Sequence, residues 1–172
     1  MGSIELPLTA CVILIPVTNF ILSLWTGYSQ ALFEAIKSSD SGKVRSLLLE
    51  DKTLTAQKHR DPTVKFDPDV ELDAYKFLGA YIGSITALHL AILCGQDAIA
   101  KDIVERTLQD DLDITFGGGN TALHLATFLG ARDIVKLLLE QGANRKITNA
   151  KGFAPVDVVD DGEMRALFAE ES

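Results

Sequence analysis

Few side chains of this 172-residue chain have the chemistry for catalysis or metal binding: His59, His89 and His124, the cysteines Cys11 and Cys94, and the acidic pairs Asp110-Asp111 and Asp160-Asp161. A transition-metal site needs histidine, cysteine or carboxylate ligands converging at short spacing, and no such cluster surrounds His89 or His124. His59 stands alone in a polar stretch with no nucleophile near it, and reads as a solvated side chain. The acidic pairs fall at helix ends or loops, where carboxylates are ordinarily solvated surface and not an acid/base couple. Gly117-Gly-Gly119 lacks the Gly-x-x-x-x-Gly-Lys-Ser/Thr spacing of a phosphate loop. It reads instead as a tight turn, where glycine takes positive φ without steric cost. No catalytic residue, cofactor or metal site is expected.

The elements that must position these residues announce themselves by repetition. Thr86-Ala-Leu-His-Leu-Ala91 recurs as Thr121-Ala-Leu-His-Leu-Ala126, 35 residues on. The match continues through Gly95 with Gly130, Ile99 with Ile134, Lys101 with Lys136, and Ile103-Val104-Glu105 with Leu138-Leu139-Glu140. A period of this size marks stacked helical units, none of which can bury its apolar face alone. The histidines sit in equivalent slots of successive units and so read as structural.

On these residues the chain resembles the ankyrin-repeat family, whose unit runs turn, Gly-x-Thr-Pro-Leu-His-x-Ala, short helix, Gly, second helix, then Leu-Leu-x-x-Gly-Ala. Gly119 to Ala143 is the clearest unit, departing only in Ala122 where proline is usual. Gly152-Phe-Ala-Pro-Val-Asp-Val-Val159 is a degenerate copy with Asp157 in the histidine's place, and its second helix is expected at Glu163 to Ala169. Ala31-Leu-Phe-Glu-Ala35, with Val44 and Leu47-Leu-Leu49, fits a first unit in which Phe33 holds the histidine slot. The resemblance implies an all-α solenoid of about four helix-turn-helix repeats, the first and last atypical, spanning residues 29–172. It further implies that the repeated histidine bonds backbone groups in and between the turns.

Two stretches escape the repeat. From Leu32 to its equivalent Leu88 is 56 residues, one unit plus an insertion of 23. The stretch at about 51–83, with Pro62, Pro68 and the acidic group Asp67, Asp69, Glu71 and Asp73, is expected as a long surface loop. Tyr75, Phe77 and Tyr81 are expected to pack it back onto the stack. Within it Val64-Lys-Phe66 is a poor match to the docking motif of phosphatase-1 regulatory subunits, because Thr63 stands where a basic residue belongs. Residues 1–28 form the second stretch. Residues 6–28 carry no charge and reach the ~20 residues of a bilayer crossing. Pro16, Thr18 and Asn19 interrupt them, so an anchor, a cap over the open end of the stack and a gene-model artefact stay open. No basic region precedes the run as a signal peptide requires. A second uncharged run, Phe77 to Gln96, contains one copy of the repeated hexapeptide and is assigned to the stack.

The net charge of −8 argues against nucleic acid, since no basic stripe is present to neutralise phosphates. Two cysteines give no disulfide framework, and a reducing, cytoplasmic setting fits best. Cys94 falls in the last turn of a first helix, where a buried or half-buried thiol is expected. The resemblance implies a non-enzymatic scaffold or adaptor, expected as a monomer, that binds a protein or peptide through its concave groove and turn tips. In this chain the groove positions are Glu34 and Lys37, then Leu90 and Leu93, then Leu125 and Phe128. Phe116, Asn120, Asn149 and Lys151 fall at the tips, with Arg145 and Lys146 as a basic spot beside them. Packing of the apolar residues between repeats is the competing reading. The alternatives for function are a membrane-tethered adaptor, or the N-terminal part of a larger lipid-transfer or phosphatase-regulatory protein. A similar spread of repeats occurs in fungal oxysterol-binding proteins.

Overall fold

The computed structural model describes the backbone of residues 16–79, 81–159 and 161–169, with side chains from Gly27 onward. Four helical pairs stack side by side. An inner row is formed by α1 (Pro16–Lys37), α4 (Ala87–Leu93), α7 (Ala122–Phe128) and a single 3₁₀ turn, Pro155–Val158. Behind it lie α2 (Ser41–Glu50), α5 (Asp97–Val104), α8 (Arg132–Glu140) and α9 (Gly162–Ala169). Each inner element packs on the next inner one, and each outer element on the next outer one. A short helix, α6 (Gln109–Leu112), links the second pair to the third.

The sequence explains each part of a unit. In α8 the buried residues are Ile134, Val135, Leu138 and Leu139, one stripe at helical spacing, while Arg132, Asp133 and Lys136 face outward. Each such aliphatic side chain contributes about 1.5–3 kcal/mol on burial. Threonine starts α4 and α7. The Thr121 backbone N–H donates to Nδ1 of His124 at 3.1 Å, and the Thr86 N–H donates to Nδ1 of His89 at 3.2 Å. A backbone N–H can only donate, so Nδ1 is the acceptor and the ring proton sits on Nε2. In the last unit Asp157 takes over the role, its Oδ2 accepting from the Ala154 N–H at 2.9 Å. The inner element of this unit is a 3₁₀ turn in place of a full helix, with Pro155 at its first position.

The segment between α2 and α4 is not the plain loop expected of it. A 3₁₀ turn at Lys52–Thr55 leads to β1 (His59–Arg60), then α3 (Glu71–Phe77), then β2 (Ser84–Ile85). The strands pair antiparallel, His59 opposite Ile85 and Arg60 opposite Ser84. Leu54, Ala74, Leu78 and Ile85 from this segment are all buried. His59 is accordingly not solvated. It is half-buried, with its ring 4.9 Å from that of Phe33, the residue holding the histidine slot of the first unit.

Among the described residues no helix is long and apolar enough to cross a membrane. Residues 6–15 of the expected anchor lie outside the described residues. Cys94 caps the C-terminal end of α4 as its position implied, but it is an exposed residue with a free thiol.

Candidate functional site

The inner helices and turn tips should leave an open concave surface, and the segment from Arg60 to Gly83 lies across it. Phe66 meets Phe128 edge-on with ring centroids 6.3 Å apart. Phe77 lies 6.4 Å from Phe128 and 5.4 Å from Phe153. Offset and edge-to-face aromatic contacts of this kind add about 0.5–1.5 kcal/mol each beyond the area they bury. A buried amide relay holds the end of α3 to the turns of two repeats. Asn120 Nδ2 donates to the Leu78 carbonyl at 2.8 Å, and Asn149 Nδ2 donates to the Phe77 carbonyl at 2.9 Å and to Asn120 Oδ1 at 2.8 Å. At the other end of the segment Lys37, on α1, donates to Asp61. Thr63 adds its hydroxyl and backbone N–H, so the Asp61 carboxyl is held well below the usual carboxylate range, with Lys37 the largest cause.

The expected contact residues therefore divide. Leu90 and Leu125 do not line a groove: both are 0 % exposed. Each lies on an inner helix packed by its neighbours on either side and by an outer helix behind, and α4 also meets the 3₁₀ turn at Lys52–Thr55. Phe116 and Asn120 are buried too. Phe116 packs edge-on against the His89 ring, 4.7 Å away, and Asn120 is committed to the relay. Leu93 and Phe128 are half-buried, and Phe128 is covered by the two phenylalanines. Arg145 donates from Nη1 to the Phe168 carbonyl at 2.8 Å and braces α9. Lys146 remains exposed, and Lys151 sets its ammonium 5.1 Å over the Tyr75 ring.

Both repeated histidines are held neutral. Burial pushes His89 down to about 3, and the Lys58 charge adds to it, while the Ile114 backbone opposes; Nε2 makes no hydrogen bond of good geometry among the described residues. His124 is also lowered, by burial first, although its Nε2 donates to the Phe153 carbonyl at 3.0 Å and so ties the third unit to the fourth. No group of three or more histidine, cysteine or carboxylate side chains that could hold a metal is found among the described residues. Asp161 of the acidic pair at 160–161 bonds Arg132 at 2.8 Å, while Asp160 lies outside the described residues. Gly117, Gly118 and Gly119 form the expected turn, closed by a bridge between Phe116 and Asn120, with φ of +50° and +82° at Gly117 and Gly119.

What faces solvent is the other side of the same segment. Leu72 is 86 % exposed, Tyr75 60 % and Tyr81 61 %. Beside them a cleft of about 400 Å³ opens between the stretch Arg60–Phe66 and the stretch Glu71–Gly83. Tyr75 and Tyr81, expected to fold inward with Phe77, are surface residues instead. For Tyr75 the helical period carried the signal: Ala74 and Phe77 share the inner face of α3, and Leu72 and Tyr75, three apart, share the outer one, whereas Tyr81 lies beyond the helix.

Comparison with known proteins agrees with this architecture. The chain is 33 % identical over 79 residues to ankyrin repeat and SOCS box protein 11 of Danio rerio, covering 45 % of this chain and 27 % of that protein. It is 25 % identical over 130 residues to the Saccharomyces cerevisiae protein described as probable 26S proteasome regulatory subunit p28, covering 67 % of this chain and 57 % of that one. The chain thus spans well under two thirds of the length of these curated relatives. Among solved structures the ankyrin repeat domain of Bcl-3, a member of the IkappaB family, superposes with a TM-score of 0.57 over 80 % of this chain and 50 % of that one, at 16 % identity, which establishes likeness of fold alone. The family model for ankyrin repeats, in three copies, matches residues 29–149, and the chain belongs to the ankyrin-repeat family.

Proposed function

We propose that this chain is a non-enzymatic interaction module whose partner surface is the outer face of the segment between β1 and β2, not the concave groove. Ankyrin repeats are in general protein–protein interaction modules. The observation that carries the finer reading is the exposure of Leu72, Tyr75 and Tyr81 together on a segment whose inner side is anchored by Phe66, Phe77 and the Asn120–Asn149 relay. Large apolar side chains clustered at the surface mark contact sites, and tyrosine is a frequent hot-spot residue. A cytoplasmic setting fits the free thiol of Cys94. Because its curated relatives are longer, the module can equally serve as the recognition part of a larger assembly.

Photo-crosslinking tests the assignment. A benzoyl-phenylalanine at Tyr75 or Leu72 is expected to capture a discrete partner in cells, and one at Lys136, on the outer row, is not. Equal capture from both positions, or capture only from the outer row, refutes it.

A further inference from the structure

We infer that the cleft beside Tyr75 and Tyr81 takes a proline-rich segment of a partner protein in the polyproline II conformation. The inference rests on the reading of this segment as the partner surface, and it names the partner's chemistry. The cleft of about 400 Å³ lies between the stretch Arg60–Phe66 and the stretch Glu71–Gly83. Two exposed tyrosines stand in its lining, and both rings are braced by neighbours. The Lys151 ammonium sits 5.1 Å from the Tyr75 ring centroid. The Tyr81 ring lies against Gly83, where a Cβ would come within 2.8 Å of its Cε1. Gly79 and Gly83 add no side chain to the lining, so a ligand's backbone can approach closely. The volume admits about one turn of polyproline II, three residues over roughly 9 Å.

Charge does not choose the ligand; hydrogen bonding does. Arg60 and Lys65 line the cleft with Asp61 and Glu71, two cations to two carboxylates, and Asp67, Asp69 and Asp73 stand exposed on the same segment. A strongly acidic chain meets those carboxylates, and a strongly basic one meets Arg60, Lys65 and Lys151, so a neutral chain is favoured. Donors and acceptors, in contrast, are unequal. Both Asp61 carboxylate oxygens are taken, Oδ2 by Lys37 and Oδ1 by the hydroxyl and N–H of Thr63. The side chains of Arg60 and Lys65 and the hydroxyls of Tyr75 and Tyr81 make no hydrogen bond or ion pair among the described residues. Glu71 is then the one carboxylate of the lining left uncommitted among the described residues. A surplus of donors fits a chain that only accepts, and proline carries a carbonyl without an N–H. Its ring packs on tyrosine, and polyproline II is extended before it binds, which lowers the ordering cost of docking in an aromatic-lined groove.

The test is fluorescence anisotropy of the full chain with a labelled proline decapeptide, against a glycine–serine decapeptide carrying the same label. The proline peptide is expected to bind at least about tenfold more tightly, being ordered beforehand and stacking on the rings. Its affinity is expected to change less than about twofold as salt is raised from about 0.05 to about 0.5 M, since no net charge is matched. The double variant Tyr75→Ala/Tyr81→Ala, at exposed positions and checked for unchanged helicity, is expected to lose about tenfold or more. Tyr75→Phe/Tyr81→Phe keeps the rings and removes two donors, and is expected to lose about fivefold. Equal binding of the two peptides, full affinity in the alanine variant, or a tenfold loss with salt overturns the inference. If the proline peptide fails while crosslinks from Tyr75 still capture a partner, the surface assignment stands and the proline-rich chemistry falls.

Discussion

Asn120→Ala is the sharpest probe of how the inserted segment is held. The residue is fully buried, and its side chain makes two bonds of 2.8 Å, one given to the Leu78 carbonyl and one accepted from Asn149. Truncation orphans the Leu78 carbonyl, which lies in a buried residue and has no other donor among the described residues. Asn149 keeps the Phe77 carbonyl as its remaining acceptor and is the lesser loss. A buried group left without its partner costs about 1–3 kcal/mol, and a lost neutral bond about 1, so the variant should be destabilised by about 2–4 kcal/mol. Asn120→Asp should be worse at neutral pH, since it aims a carboxylate oxygen at a carbonyl. Urea unfolding of the full chain measures the total, and hydrogen exchange of residues 71–85 locates it. A double-mutant cycle with Asn149→Ala should return a coupling of about 1 kcal/mol. A loss under about 0.5 kcal/mol, with exchange at 71–85 unchanged, would show that the relay does not hold the segment and would remove the physical basis for a filled groove.

Other perturbations bear on the same packing. A Cβ on Gly117 would lie 2.2 Å from the Tyr81 carbonyl oxygen at φ +50°, whereas one on Gly130, φ +74°, would meet nothing within 4 Å. Gly130→Ala should cost about 1 kcal/mol and Gly117→Ala distinctly more by thermal or urea unfolding. Equal losses would contradict the close approach of the two turns. Phe77→Ala should cost about 2 kcal/mol, below the value for a fully buried phenylalanine because Phe77 is half-buried, and Phe128→Ala should add less in its presence than alone. Acid should weaken the fold well before the carboxylates titrate. His89 binds its proton near 6.5 when unfolded and near 3 when folded. The unfolded state therefore binds more protons between these values, and stability falls as pH drops, by about 2 kcal/mol from pH 7.5 to pH 5. His124, also lowered, acts in the same direction. Unfolding curves at the two pH values check this, and His89→Gln should flatten the slope.

The stack was legible because its determinants are local and repeated. Thr121 and His124 are three residues apart, and the α8 stripe lies within nine. The Asp157 substitution was legible for the same reason, since a carboxylate three residues into a turn can accept the bond that imidazole accepts. The route of the inserted segment was not. Its anchors join residues far apart in the chain, Phe66 to Phe128, Phe77 to Phe153, Asn149 to Phe77, and no periodicity marks such pairs. Leu90 and Leu125 follow the competing reading, packed between repeats, while the cover over Phe128 escaped notice for that reason. Family-level positions describe which way a helix face points, and the cover comes from residues that belong to no repeat. His59 and Cys94 fell to the same blindness: the partner of one, Phe33, lies 26 residues away, and the exposure of the other depends on what does not pack against the end of α4.

A filled groove changes what a partner must do. A ligand directed at Phe128 has to displace Phe66 and Phe77 first. If their seating is worth about 2–3 kcal/mol, the groove is open in roughly one molecule in 30 to 150, and the apparent affinity of a groove ligand falls by the same factor. The outer face of the segment carries no such penalty. Leu72, Tyr75 and Tyr81 are already exposed and already positioned by a buried inner side, so the ordering cost of presenting them was met in folding. On the proposed reading the relay and the phenylalanines fill the surface that the fold would have offered, and the exposed outer face of the segment takes its place. Loosening them, as in Phe77→Ala, should weaken crosslinking from Tyr75 while strengthening capture from a probe placed at Leu93 on the inner row. Should both positions weaken together, the two surfaces are not alternatives and the segment is only part of the core.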